Sequence, residues 1–253
     1  MTPSARIPFE YGWYCWELGE YRPFPQPYLT YWLFDYVELP ALTNVDAGFG
    51  YLADDEGTTP DVVMLETIRG RLRSELSTLT DEASRRGLAM PDSFTRFMVA
   101  PELHARFRSG TCYWFTLSSR LVQCPRFDGA YLICFLRDQQ DCILWCLCLT
   151  PDGQHCVLAV PDDAAMALSE TTYAALCGDL GDDEVDAGND TVEGEESAIA
   201  SIRVCADSFE EFAYRFWLED EIAFKLEGLE AAPLTDAERA YLAHYTQLRA
   251  KER

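Results

Sequence analysis

Apolar residues recur at three- and four-residue steps through Leu65, Ile68, Leu72, Leu76 and Leu79. That spacing marks one face of an amphipathic helix. Thr59-Pro60-Asp61 precedes it: a threonine can cap, and proline suits the first helical position. Gly87 ends the helix. Pro91-Asp92-Ser93-Phe94 opens a short second helix through about Val99, and Pro101 stops it. The pattern then changes. Thr111 to Cys124 is rich in aromatic and β-favouring residues and reads as strand. Ala130 to Leu136 and Asp141 to Leu149 are apolar on both faces, as central strands are. The polar run Arg137-Asp138-Gln139-Gln140 separates them as a turn. Pro151-Asp152-Gly153 is a second turn signal, and Gln154 to Val160 completes a three-stranded antiparallel meander.

The flanks read differently. Residues 1–60 are aromatic-rich and broken by Pro8, Pro23, Pro25, Pro27 and Pro40. They predict an irregular segment laid on the core by its rings, with Tyr28 to Leu39 inclining to strand. Residues 161–206 read as a weakly structured acidic region in which Ala164 to Cys177 is a candidate helix. Gly178 to Glu196 reads as an acidic loop. Two capped helices close the chain. Ser208 and Glu211 form a capping box ahead of Phe212, Phe216, Trp217 and Ile222. Thr235 and Glu238 repeat it ahead of Tyr241, Leu242, Tyr245 and Leu248. The order is irregular segment, helix pair, strands, helix pair. This predicts an α+β fold: an antiparallel meander sheet packed against N-terminal and C-terminal helices. The division is a segment over 1–60 and an α+β domain over 61–253, with the acidic loop at 178–196.

Charge sharpens the picture. The formal net charge is -23, from 43 Asp and Glu against 20 Lys and Arg. From Asp138 to Ile202 there is no Lys or Arg. Such a field repels phosphate backbones and disfavours direct nucleic-acid binding, while it attracts cationic partners. The candidate contact residues are Asp179, Asp182, Asp183, Glu184, Asp186, Asp190, Glu193, Glu195 and Glu196. The N-terminus lacks the apolar core of a secretory signal, and no apolar run reaches membrane-spanning length. The reading is a cytosolic protein whose ten cysteines are free thiols.

Candidate chemistry is sparse. Cys142, Cys146, Cys148 and Cys156 cluster in sequence, but no Cys-x-x-Cys turn exists to converge them on zinc. Cys146 and Cys148, two apart on a strand, share a face, so with Cys134 and Cys156 they read as core packing. His155 adjoins Cys156, yet neighbouring strand residues point oppositely, which excludes a simple dyad. His104 and His244 read as structural. No nucleophile elbow or phosphate-binding loop is present. Asp182, Glu184, Asp186 and Glu193 match four EF-hand positions, but Ala187 stands where that loop needs glycine. No catalytic residue, metal or cofactor is assigned. A cysteine-based metal protein or enzyme, and a regulatory scaffold using the aromatic segment, are the alternatives.

Three stretches carry a family pattern. They are Leu88-Ala89-Met90-Pro91-Asp92-Ser93-Phe94 after the long helix, Asp138-Gln139-Gln140-Asp141-Cys142-Ile143-Leu144-Trp145 in the meander, and Ser208-Phe209-Glu210-Glu211-Phe212 leading to Arg215-Phe216-Trp217-Leu218-Glu219. Over roughly residues 62–160 and 207–250 the chain resembles the SUKH superfamily of bacterial immunity proteins and fungal cell-wall-synthesis regulators. The resemblance implies a non-enzymatic domain that binds other proteins, in many bacterial members a toxin and often a nuclease. It supplies no catalytic residues.

Overall fold

The computed structural model describes residues 7–23, 31–34, 48–52, 62–108, 112–168, 170–177 and 192–251. Its centre is a mixed sheet whose core strands are β6 (Tyr131–Arg137), β7 (Ile143–Leu149) and β8 (His155–Pro161), the meander read from the sequence. The sheet is wider than that reading. On one side β9 (Arg203–Ala206) pairs antiparallel with β8, and β1 (Glu10–Tyr11) joins β9 in parallel. On the other side β4 (Trp114–Phe115) and β5 (Val122–Gln123) both pair with β6. The expected strand over Thr111 to Cys124 is therefore two short pieces around an irregular edge. A separate two-stranded ribbon joins β2 (Trp13–Cys15) to β3 (Trp32–Phe34), the latter inside the predicted 28–39 strand.

The sheet has helices on both faces. Against one lie α1 (Val62–Arg85), α2 (Asp92–Met98) and α7 (Phe209–Leu226), with α3 (Pro101–His104) beside them. α2 ends at Met98, capped at Val99 and ahead of Pro101 as expected, and Pro101 then begins α3, at a first-turn position where a missing N–H costs nothing. The second face is covered by α4 (Asp162–Ala167), α5 (Glu170–Cys177) and α6 (Val192–Ile199). This corrects two expectations. The described residues of 161–206 form α4, α5, α6 and β9 rather than a weakly structured region, and the last five positions of the loop placed at 178–196 belong to α6, while 178–191 lie outside the described residues. The physical reason is the alternation on the strands. Ile143, Trp145, Leu147 and Leu149 face the α1 side, while Leu144, Cys146 and Cys148 face the other. Both surfaces are apolar, so both need a cover; Ala164, Ala165, Tyr173, Ala175 and Leu176 supply the second. α8 (Asp236–Lys251) packs outside α7 through Tyr241, Leu242 and Tyr245.

Local chemistry fixes the element ends. Gly87 has φ +73°, and the amides of Gly87 and Leu88 return to the carbonyls of Ser84 (3.0 Å) and Ala83 (2.9 Å). That is the glycine-dependent closure of a helix C-terminus. Gly153 has φ +79° in the β7–β8 turn. The register of β6 on β7 shifts between Cys134 and Leu136. The extra residue turns both Phe135 and Leu136 into the α1-side core, where strict alternation would send one away. Phe135 there meets Phe94, Phe209 and Phe212, with ring centroids 5.8, 5.3 and 5.4 Å away.

Candidate functional site

The predicted contact residues fall unevenly. Asp179, Asp182, Asp183, Glu184, Asp186 and Asp190 lie outside the described residues, as does most of the EF-hand-like match. Glu193, Glu195 and Glu196 sit on α6, and Glu196 is exposed. The structure thus places the last three in one helix of the second layer. The described elements between Asp138 and Ile202 are β7, β8, α4, α5 and α6, so the segment free of Lys and Arg includes two central strands and the three helices of that layer. Fifteen of the 43 acidic residues belong to it. Asp163 and Glu196 are exposed upon it, and Asp162 is half-buried. Burial, with Asp141, Asp163 and Asp138 nearby, raises the Asp162 carboxyl against the opposing Tyr173 hydrogen bond. Three cations border the segment: Arg137 pairs with Asp141 and donates to the Cys177 carbonyl, the Arg126 guanidinium donates to the Glu196 carbonyl at 3.0 Å, and Arg203 bonds the Ile202 carbonyl at 3.0 Å.

The cysteines line the sheet beneath this layer. Cys124, Cys134, Cys146, Cys148 and Cys156 belong to one buried cluster on the α4–α6 side. Cys134 faces Cys146 across β6 and β7, and Cys148 faces Cys156 across β7 and β8. All ten cysteines are free thiols. Burial pushes the Cys146 thiol well above its ordinary value, and Cys205 up to about 12. A thiolate is what attacks an electrophile or binds a metal, and these groups stay protonated. Among the described residues no group of three or more His, Cys, Asp or Glu is placed to hold a metal ion.

The histidines are built into the scaffold. His104 Nε2 donates to the Phe97 carbonyl at 3.0 Å and its ring lies 4.5 Å from that of Phe115. Burial lowers its pKa to about 4, so it is neutral at physiological pH. His155 points away from Cys156 and toward Glu210, at 3.9 Å. The imidazole and the Ser93 hydroxyl hold the Glu210 carboxyl at about 2, against the opposing effect of burial. His244 is half-buried on α8.

Sequence reasoning missed an ionic cluster that joins the N-terminal region to α7 and α8. Arg22 grips Glu219 with both terminal nitrogens, at 2.7 Å to Oε1 and 2.6 Å to Oε2. Trp13 Nε1 donates to Oε2 at 2.8 Å, and Tyr241 donates to Oε1. Arg215, one turn earlier on α7, lies 3.7 Å from Oε1 and stacks 4.0 Å over the Trp13 ring. Exposures are 5% for Arg22, 0% for Glu219 and 1% for Arg215. Burial opposes ionisation, but the two guanidiniums hold the Glu219 carboxyl at about 2. A signal was present: Arg215 and Glu219 fall on the same stripe as Phe212, Phe216 and Ile222, where a helix burying that face leaves no room for unpaired charge.

No family model, curated protein or solved structure matches this chain. Among the described residues no helix is long and apolar enough to cross a membrane.

Proposed function

We propose that this chain is a non-enzymatic protein-binding module, similar to SUKH immunity proteins, that neutralises a basic, toxin-like partner by occluding it in the cytoplasm. One observation carries the reading. The stretch from Asp138 to Ile202, with fifteen acidic residues and no Lys or Arg, supplies α4, α5 and α6. It is the cations that are segregated: those three helices carry none, while α1 on the other side sets Arg69, Arg71, Arg73 and Arg85 against Glu66, Glu75, Asp81 and Glu82. A surface of one sign steers an oppositely charged protein into contact and raises its association rate. The order of elements supports the resemblance: long amphipathic helix, short helix from Pro91, meander, then a helix capped at Ser208. The low reactivity of the buried thiols favours binding over covalent chemistry.

The test is co-expression with the toxin-like product of the neighbouring open reading frame. Growth should be restored and a stable complex recovered. Association should slow by at least about tenfold between roughly 50 and 500 mM salt. Reversing three charges on α6 (Glu193→Lys, Glu195→Lys, Glu196→Lys) should slow association severalfold while leaving the fold intact. Continued growth arrest without a complex, or a salt-insensitive on-rate, would overturn the proposal.

A further inference from the structure

A polar cleft opens at the β4 edge of the sheet, where the two helical layers part. Its volume is about 560 Å³, within the ~300–1,000 Å³ range of small-ligand sites. One wall is the outer face of α1, with Arg71, Ser74 and Glu75; Trp114, Thr116 and Ser118 come from the β4 edge. Two features of this cleft point to a ligand. Strand alternation sends Phe115 into the core and leaves Trp114, its neighbour on a two-residue edge strand, 42% exposed with its large ring on the cleft. Ser118 is only 1% exposed, yet its hydroxyl has no hydrogen-bond partner among the described residues. A buried hydroxyl without a partner is destabilising, and a ligand group entering the cleft can satisfy it.

The charges say what kind of ligand. Arg137 lines the cleft but is already committed: Nε donates to Asp141 at 2.6 Å, and its terminal nitrogens reach Asp141 and the Cys177 carbonyl. Its guanidinium also lies 5.3 Å from the Trp114 ring centroid. Arg71 and Glu75 are 4.0 Å apart and 58% and 36% exposed, a loose pair that leaves one strong donor and one strong acceptor side by side. The hydroxyls of Ser74, Thr116 and Ser118 can each donate and accept. Nothing here concentrates positive charge, and a net charge of -23 repels anions at long range. The set matches a compact neutral molecule with several alternating donors and acceptors and one C–H face for an indole.

We propose that this cleft binds a neutral sugar, with Trp114 as the stacking platform, Arg71 and Glu75 reading adjacent hydroxyls, and Ser118 closing the inner contact. No residue of α6 lines the cleft, which takes only Ala174 and Cys177 of α5 from that layer, so charge reversal on α6 tests toxin binding without altering the sugar contacts.

The experiment titrates the full chain with glucose, galactose, N-acetylglucosamine and their disaccharides. Tryptophan fluorescence and saturation-transfer NMR report binding. At least one sugar should saturate with a dissociation constant of ~1–10 mM. Trp114→Ala should weaken it at least about tenfold. Arg71→Gln and Glu75→Gln should each weaken it severalfold, and inorganic phosphate should not compete. Trp114 is exposed, so its variant should melt like the parent; if it does not, the α1 variants and the phosphate competition still decide. No saturation by any sugar at about 50 mM, equal affinity for Trp114→Ala and parent, or displacement by phosphate would overturn the proposal.

Discussion

At positions 219 and 220 two successive carboxylates are buried in α7 and shift in opposite directions, because their partners differ. Glu219 meets two guanidiniums and an indole N–H and stays ionised. Asp220 meets the Tyr113 hydroxyl, which also donates to the Arg108 carbonyl at 2.6 Å. A hydroxyl has one proton, so a protonated Asp220 satisfies both contacts. Burial raises the Asp220 carboxyl well above its ordinary value, with Glu219 and Glu221 reinforcing the rise and the Tyr113 bond opposing it. The signs of the linkage are therefore opposite. Glu219, lowered from 4.5 to about 2, contributes stability that is present above pH 4.5 and lost as pH falls toward 2. Asp220, raised from 3.8, releases stability as pH climbs from 3.8 toward its folded value. At pH 7, Glu219→Gln should cost about 3 kcal/mol, since it leaves Arg22 and Arg215 buried without a counter-charge. Asp220→Asn should be neutral or gain on the order of 1 kcal/mol, a gain that shrinks toward pH 4. Urea midpoints of both variants at pH 4 and pH 7 measure this; equal losses would refute the protonation assignment.

Helix ends were the elements most legible in the sequence, because capping is written in adjacent residues. Ser208 Oγ accepts from the Glu211 amide at 3.1 Å. At the second box the Glu238 amide donates to Thr235 Oγ1 at 3.2 Å and the Thr235 amide to Glu238 at 2.7 Å. Ser208→Ala should cost about 1 kcal/mol and Ser208→Asp almost nothing, read from thermal midpoints. The meander was equally legible, through continuous apolar runs and the Pro151-Asp152-Gly153 turn. What escaped was non-local. β9 has four residues and β1 two, and each exists only because a distant strand pairs with it. Propensity over so few residues is weak beside such pairing. Of the α4–α6 cover, the helical stretch Ala164 to Cys177 was legible and is two helices, but α6 and the role of all three as a second layer escaped; that role follows from the cysteine-lined face of β6 to β8, a requirement visible only once both faces of the strands are assigned. The same holds for the cleft. Trp114 read as strand residue like its neighbours, and only the sheet edge separates it from Phe115.

For the whole molecule, charge and packing act in opposition. The layer carrying the cation-free segment is held to the sheet by apolar contact, while its acidic residues repel one another and the rest of a chain of net charge -23. Salt at about 0.5 M shortens the screening length to a few ångströms and relieves that repulsion. The free protein should therefore melt several degrees higher at about 0.5 M sodium chloride than at about 0.02 M. The same salt should weaken a complex formed by the acidic layer, because attraction between opposite charges is screened as well. Calorimetric melts and association kinetics across one salt series test both signs together. If charge segregation serves only solubility, the melting point still rises but no cationic partner shows the opposing trend. If the layer is a docking face, stability of the free chain and speed of association move in contrary directions as salt increases. A stability that falls with salt would mean that the ion pairs on α1 and α7, and not repulsion across the acidic layer, dominate the electrostatics of the fold.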